Sequence, residues 1–137
     1  MHKNTRLLLA TGCLLTCLGI VLGAFGAHGV EDRVEPYFFK VYQTASRFHM
    51  YNALGLILIG LIHHQISLPG IKWITRLLYA GILIFCGTLY LLGTSPIWSA
   101  ADMRWLGAIT PIGGVCMISA WLITAIQLYQ KNKNSTK

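Results

Sequence analysis

The chain has 137 residues, of which 55% are hydrophobic and only 11% are charged, and its mean hydropathy is +0.59. This composition is typical of a membrane protein, and four long apolar runs leave no length for a separate soluble domain. The formal net charge of +7 does not indicate nucleic-acid binding, because the basic residues lie at the ends of the apolar runs, where they set topology.

The four apolar runs predict four membrane-spanning helices, since a helix needs about 20 mainly apolar residues to cross the hydrocarbon core. The predicted spans are residues 7–27, 45–64, 73–93 and 106–128. Together they predict a single domain, residues 1–137, with an all-α fold: an integral membrane four-helix bundle. The first run could also be a cleaved signal sequence, but it exceeds the roughly 7–15 apolar residues of a signal core, which favours an uncleaved anchor.

Basic residues are unequally distributed between the connections. They flank the N-terminus, the second connection and the C-terminus at Lys3, Arg6, Lys72, Arg76, Lys131, Lys133 and Lys137. The first and third connections carry Arg33, Lys40 and Arg104 together with all the acidic residues, Glu31, Asp32, Glu35 and Asp102. The positive-inside rule therefore predicts that both termini and the middle connection face the cytoplasm.

Small residues recur along one side of the first span, where Gly19 and Gly23 form a GxxxG pair. Lipid tails give helices no hydrophobic reason to associate, so stripes of small residues are the expected contact surfaces for folding or oligomerisation. On this basis we predict the following packing positions: Gly19, Gly23, Gly26, Gly87, Pro111, Gly113 and Gly114.

The segment before the second span interleaves aromatic and polar residues from Tyr37 to Tyr51, directly after Pro36. Proline suits the first position of a helix, because its missing N–H has no partner there. The pattern predicts an interfacial helical segment that lies at the outer membrane surface or enters through it. A plain belt of aromatic anchors is the alternative interpretation.

Polar residues at the outer end of the second span suggest a site. Arg47 can extend its charge to the interface, but His49 and Asn52 are short and should face protein or water. Counting 1.5 Å per residue places His28 at the outer boundary and Thr110 about 8 Å inside it. The predicted ligand-binding cluster, opening outward, is His28, Arg47, His49, Tyr51, Asn52 and Thr110. Interhelical hydrogen bonds without a ligand are the alternative.

The sequence predicts neither a metal site nor a cofactor. Cys13, Cys17, Cys86 and Cys116 show no CxxC spacing, so core packing is their expected role. The adjacent His63 and His64 point to different sides of a helix, which favours an interfacial cap over a chelating pair.

Three motifs carry a family resemblance. Residues 23–29 read GAFGAHG, Tyr42 and Gln43 precede HMYNAL at 49–54, and residues 110–114 read TPIGG. They resemble the small membrane proteins of domain of unknown function 423, similar to transmembrane protein 256 of animals. The chain departs from that pattern where FCGTLY at 85–90 replaces FSGSLY, and where Asn52 replaces a common histidine. The resemblance implies a four-helix protein of the bacterial inner membrane and brings no established activity.

Two classes of function remain. The first is a non-catalytic membrane protein that binds a small solute, a proton or a lipid, or serves as a subunit or scaffold. The alternative is a membrane-embedded enzyme that uses Arg47 and His49 on a lipid headgroup or quinone at the outer interface. The spans contain no Asp or Glu to orient a histidine, and no catalytic residues are predicted. The expected partners are the lipid bilayer and a second copy or another membrane protein.

Overall fold

The computed structural model describes the backbone of residues 3–99 and 101–135, and the side chains of residues 5–99 and 101–131. This part of the chain is helical and contains no strand. Four of its helical segments are long and apolar enough to cross a membrane: Thr5–Arg33, Pro36–Ile66, Ile71–Trp98 and Leu106–Lys131. The predicted all-α membrane fold is therefore confirmed.

Two of the four spans change helix type along their length. The first consists of α1 (Lys3–Phe25), a π turn (Gly26–Val30) and a short 3₁₀ turn (Glu31–Arg33). The second is one helix, α2 (Pro36–Ile66). The third consists of α3 (Ile71–Gly81), a π turn (Ile82–Cys86) and α4 (Gly87–Trp98), and the fourth is α5 (Leu106–Ser135).

The second span is much longer than the predicted 45–64, because the interfacial segment is its first part rather than a separate helix. Pro36 occupies the first turn, as predicted, after Glu35 in an extended conformation. At the other end, Ser67 adopts a left-handed conformation and the backbone N–H of Leu68 donates to Nδ1 of His63 at 3.0 Å. The predicted role of His63 as a helix cap is confirmed.

The α2 helix and the third span form the centre of the bundle. Helix α1 packs mainly on α2, and α5 packs mainly on the third span. The fully buried side chains Leu56, Ile59, Ile74 and Leu78 lie where the central helices meet. Each outer helix thus packs closely on one central helix and reaches the other through long side chains, which leaves a groove on either side of the bundle.

Glycines mark the closest approaches between helices. A Cβ atom built on Gly93 would lie 2.9 Å from the backbone nitrogen of Tyr42 and 3.0 Å from the carbonyl oxygen of Phe38. One built on Gly113 would overlap the backbone of Phe85, and one on Gly81 would overlap the side chain of Met117. The contact at Gly93 joins α4 to α2, and those at Gly113 and Gly81 join α5 to the third span. At Gly93 and Gly113 the backbones themselves approach each other.

The other predicted packing positions differ in how tightly they pack. A Cβ on Gly26 would lie 2.5 Å from the Tyr42 ring, whereas one on Gly19 would be 3.3 Å from Cε of Met50. One on Gly23 would be 3.6 Å from Oγ of Ser46, and one on Gly114 would be 3.7 Å from the Phe85 ring. Both are ordinary van der Waals separations.

Two of the packing predictions are wrong. Among the residues whose side chains are described, no atom of another helix lies within 4 Å of a Cβ built on Gly87, so Gly81 and Gly93 are the packing glycines of the third span instead. Pro111 is exposed on the surface of α5, which continues through it from Leu106 to Ser135. A proline near the start of a helix removes few backbone hydrogen bonds and is easily accommodated there.

The side of the membrane on which the ends lie remains a prediction. A reporter that works only in the cytoplasm should be active when fused after Lys137. A reporter that works only outside the cytoplasm should be active when inserted near Glu31, because the basic residues cluster at the termini. A second insertion near Asp102 should match the one near Glu31 and serves as an internal control. Reversed signals at all three positions would contradict the proposed orientation.

Candidate functional site

The six residues of the predicted polar cluster do not form one site. His49, Asn52 and Thr110 are buried, whereas His28, Arg47 and Tyr51 are exposed. No hydrogen bond in the described part of the chain joins any two of the six; each has other partners or none.

His49 belongs to a buried cluster that joins α1, α2 and α4. Its Nδ1 atom lies 3.3 Å from the hydroxyl of Tyr90. The Tyr90 ring packs edge-on against that of Tyr42 with 5.0 Å between centroids, and the Tyr42 hydroxyl donates to the carbonyl oxygen of Leu22 at 2.6 Å. Nε2 of His49 is buried and makes no hydrogen bond of normal length and angle.

Asn52 lies one turn further along α2 and faces α5 instead. Its Nδ2 donates to the carbonyl oxygen of Phe48 at 2.8 Å, and its Oδ1 accepts from Nε1 of Trp121 at 3.3 Å. The Trp121 ring also covers Gly55, where an added Cβ would lie 2.6 Å from the ring. This pair is the polar link between the second and fourth spans.

Thr110 links the third and fourth spans. Its hydroxyl shares a hydrogen bond of 2.9 Å with that of Thr88 and lies 3.2 Å from the carbonyl oxygen of Leu106. Of the two third-span serines of the resembled family that this chain replaces, the one at position 88 is therefore exchanged for another hydroxyl, that of threonine.

His28 does not lie beside His49, as a single polar site would require. The His49 ring lies beside Gly19 of α1, with 3.8 Å between its Cδ2 atom and a Cβ built there. His28 follows Gly19 by nine residues, or about 14 Å along the helix at 1.5 Å per residue. Arg47 contacts Thr44 at 3.4 Å on the exposed side of α2, and the Tyr51 ring packs against Phe48.

Two grooves lie on opposite sides of the third span. The larger, which we call the α2–α5 groove, has a volume of about 900 Å³ and is lined by Phe48, Asn52, Phe85, Met117, Trp121 and Ala125 among others. The smaller, which we call the His49 groove, has a volume of about 370 Å³ and lies between α1 and the third span, with His49, Tyr79, Cys86 and Tyr90 in its wall. The π turn at Ile82–Cys86 separates them and contributes to both, and π turns are frequent at functional sites.

Two important residues escaped the sequence analysis, Tyr90 and Trp121. Both carry polar groups well inside an apolar span, and a Tyr hydroxyl or Trp N–H buried there needs a partner. This requirement could have predicted hydrogen bonds from Tyr90 to His49 and from Trp121 to Asn52. Cys13 and Cys17 are exposed, so their expected role in the core is wrong, whereas Cys86 is buried.

Comparison with known proteins identifies the family. The family described as protein of unknown function (DUF423) matches residues 22–114. The chain is 38% identical over 125 residues to the UPF0382 membrane protein SH2409 of Staphylococcus haemolyticus (strain JCSC1435), covering 91% of this chain and 97% of that protein. It is 36% identical over 124 residues to the UPF0382 membrane protein YwdK of Bacillus subtilis (strain 168), covering 88% and 94%.

No solved structure matches the chain. The family match covers more than half of the sequence, includes all three motifs, and agrees with the four membrane-length helices. The relatives are bacterial membrane proteins by name, in keeping with a multi-pass protein of the inner membrane. The chain is therefore a member of the DUF423 family of small bacterial membrane proteins.

Proposed function

We propose that the protein is non-catalytic and binds a lipid-like molecule in the α2–α5 groove. The observation that carries this proposal is the groove itself: about 900 Å³ of apolar space with one polar pair, Asn52 and Trp121, in its wall. Ligand pockets of about 300–1,000 Å³ that are mainly apolar, with a few placed polar groups, are typical binding sites for small molecules.

The surroundings of the groove favour an occupant that comes from the bilayer. The groove is formed by two membrane-spanning helices, and its rim residues Phe48, Ile118 and Leu122 are 40%, 61% and 57% exposed. In a membrane these side chains face lipid, so a hydrocarbon chain can enter sideways without crossing water. A charged solute would find no ionic partner among the lining residues that the structure describes.

The polar pair can recognise one hydrogen-bonding group on such a chain. Oδ1 of Asn52 accepts one hydrogen bond and Nδ2 donates one, so one lone pair and one proton of the amide are not used by these two bonds. An alcohol or carboxylic acid at the end of an apolar chain would use both. This pattern suits a fatty alcohol, a fatty acid or a related lipid.

The chemistry of the lining supports binding rather than catalysis. The side chains that line the groove in the described part of the chain include no acid, base or thiol, only the amide of Asn52, the indole of Trp121 and the phenol of Tyr51. Acyl or headgroup transfer would need a nucleophile with a neighbouring base. For the alternative of an enzyme at the outer interface, the one side-chain hydrogen bond of Arg47 within the described residues is to the hydroxyl of Thr44, which is not a base.

Blocking the groove tests the proposal. In full-length protein reconstituted in nanodiscs, palmitic acid with a photoreactive diazirine in its chain should label Met117, Ile118 and Trp121 saturably. Replacing Ala125 with Trp should reduce this labelling at least fivefold, because the indole would fill the groove. Mass spectrometry of the digested protein locates and quantifies the labelled residues.

The matched control is Ala108→Trp, an exposed alanine of the same helix outside the groove. It should leave the labelling unchanged. Uniform, non-saturable labelling of all lipid-facing side chains, unaffected by Ala125→Trp, would overturn the proposal.

The polar pair has a test of its own. In the Asn52→Leu variant, the concentration of 1-hexadecanol that halves labelling by the photoreactive acid should rise about fivefold. The reason is that a neutral hydrogen bond contributes about 1 kcal/mol. Competition by hexadecane, which has no hydroxyl, should not change. Equal losses for both competitors would show that Asn52 shapes the groove without recognising a polar group.

A further inference from the structure

We propose that the His49 groove is a second, separate binding site, which takes an uncharged lipid-soluble molecule through a carbonyl oxygen. The hydrogen-bond donor of this site is Nε2–H of His49. The site lies on the other side of the third span from the α2–α5 groove and does not depend on it.

The imidazole is the only polar group that α2 presents in the described lining of this groove. His49 is 3% exposed, and its Nε2 atom is buried without a hydrogen bond of normal geometry. Buried polar nitrogens almost always have a partner, and one that lacks it calls for an explanation such as a missing ligand. An ionisable side chain inside a membrane is itself a functional candidate.

The partners of Tyr90 determine which ring nitrogen carries the proton. The Ser46 side chain lies near the Tyr90 hydroxyl, and the same hydroxyl lies 3.3 Å from Nδ1 of His49. When Ser46 donates to Tyr90, the phenol proton is left for Nδ1. A neutral imidazole that accepts at Nδ1 carries its proton on Nε2.

The helix α1 supports the same assignment. The backbone carbonyl of Leu15 interacts with the imidazole, and a carbonyl group can only accept a hydrogen bond. Nε2 still lacks a bond of good geometry, and in an α-helix the Leu15 carbonyl already accepts from the N–H of Gly19. A ligand oxygen that displaced the side chains now covering Nε2 would be the better partner for Nε2–H.

The shape and polarity of the groove define the rest of the ligand. Its volume of about 370 Å³ suits one ring or a short length of chain, and Leu15, Leu18, Ile82 and Leu83 supply apolar walls. The aromatic residues Tyr79 and Tyr90 also line the groove, and aromatic rings favour contact with a flat group. A carbonyl oxygen in the membrane has two common sources, the ring ketone of an isoprenoid quinone and the acyl ester of a glycerolipid.

The two sources can be distinguished with the full-length protein labelled with ¹⁵N in its histidine rings. In nanodiscs of ether-linked phosphatidylcholine, which has no ester carbonyl, added decylubiquinone should shift the Nε2 resonance of His49 saturably if the ligand is a quinone. If it is a lipid ester, changing to ester-linked phosphatidylcholine should shift the same resonance without quinone. No shift in either arm would overturn the proposal.

Substitutions test whether Nε2 makes the contact. His49→Phe should weaken binding of the active ligand at least tenfold, and His49→Gln, whose side-chain N–H can reach a similar place, should stay within about threefold of wild type. The control His64→Phe removes an exposed histidine at the other end of α2 and should have no effect. Equal affinity of the Phe and Gln variants would overturn the assignment.

A second variant keeps the test decisive if His49→Phe fails to fold. Tyr90→Phe leaves the imidazole intact and removes the hydroxyl at Nδ1. The ¹⁵N spectrum should then show His49 protonated at Nδ1 in part of the molecules, with ligand affinity reduced in proportion. An unchanged Nε2–H form would contradict the assigned role of Tyr90. Ala125→Trp should leave this site unaffected, so failure here is separable from failure of the α2–α5 groove proposal.

Discussion

Replacing Gly113 with alanine should lower the free energy of unfolding by about 1–3 kcal/mol, the usual cost of forcing extra atoms into a packed contact. A Cβ atom at this position would overlap the backbone nitrogen of Phe85 and lie 2.8 Å from its Cβ. Because the obstacle is backbone, no side-chain rotation can relieve it, and α5 must move away from the third span. The loss can be measured as a lower midpoint of thermal unfolding in detergent.

The neighbouring Gly114 provides the matched control. A Cβ there would be 3.7 Å from the Phe85 ring, which is an ordinary contact. Alanine also forms helix more readily than glycine, by up to about 1 kcal/mol. Gly114→Ala should therefore match the wild-type protein or exceed it in stability. If the two variants unfold at the same temperature, the close approach of Gly113 to Phe85 is not present in the protein.

The number and position of the spans could be predicted from sequence because the bilayer imposes them. A chain that crosses the hydrocarbon core must satisfy its backbone internally and needs about 20 apolar residues to do so. The length of α2 could not be predicted in the same way. Hydropathy marks only the apolar part of that helix, whereas its true start is set by Pro36, after which no further proline interrupts the helix before Ile66.

The error at Gly87 has a specific cause. The prediction follows a seven-residue repeat through Ala80, Gly87 and Thr94, which assumes an uninterrupted α-helix. The π turn at Ile82–Cys86 inserts wider turns between the first two of these positions. The residues after it are rotated relative to a straight α-helix, so Gly93 rather than Gly87 faces α2.

The polar cluster shows what depth counting can and cannot provide. Thr110 and His49 do lie at similar levels, since their partners Thr88 and Tyr90 are close together on α4. Counting gives no information on the direction in which a side chain points around the helix axis. His49 and Asn52, one turn apart, therefore proved to face different grooves.

The first span allows the strongest expected effect, through a double substitution of two glycines that face α2. Replacing Gly12 and Gly26 with alanine should destabilise the bundle by about 2–6 kcal/mol, because two overpacked sites far apart on a helix contribute independently. A Cβ on Gly12 would lie 2.6 Å from Cγ1 of Ile57 and 3.3 Å from the carbonyl oxygen of Ala53, and one on Gly26 would press on the Tyr42 ring. The hydroxyl of Tyr42 is bonded to Leu22, which holds that ring in place.

The alanine pair at Gly19 and Gly23 is the matched comparison, and it contains the GxxxG motif that the sequence alone marks as the packing centre. It should leave the unfolding midpoint almost unchanged, because the added atoms meet the flexible end of Met50 at 3.3 Å and Oγ of Ser46 at 3.6 Å. Thermal unfolding in detergent, followed by size-exclusion chromatography, ranks the two variants. If the Gly19 and Gly23 variant were the less stable, the first span would have to approach α2 most closely at the motif rather than at Gly12 and Gly26, where an added Cβ meets the shortest contacts.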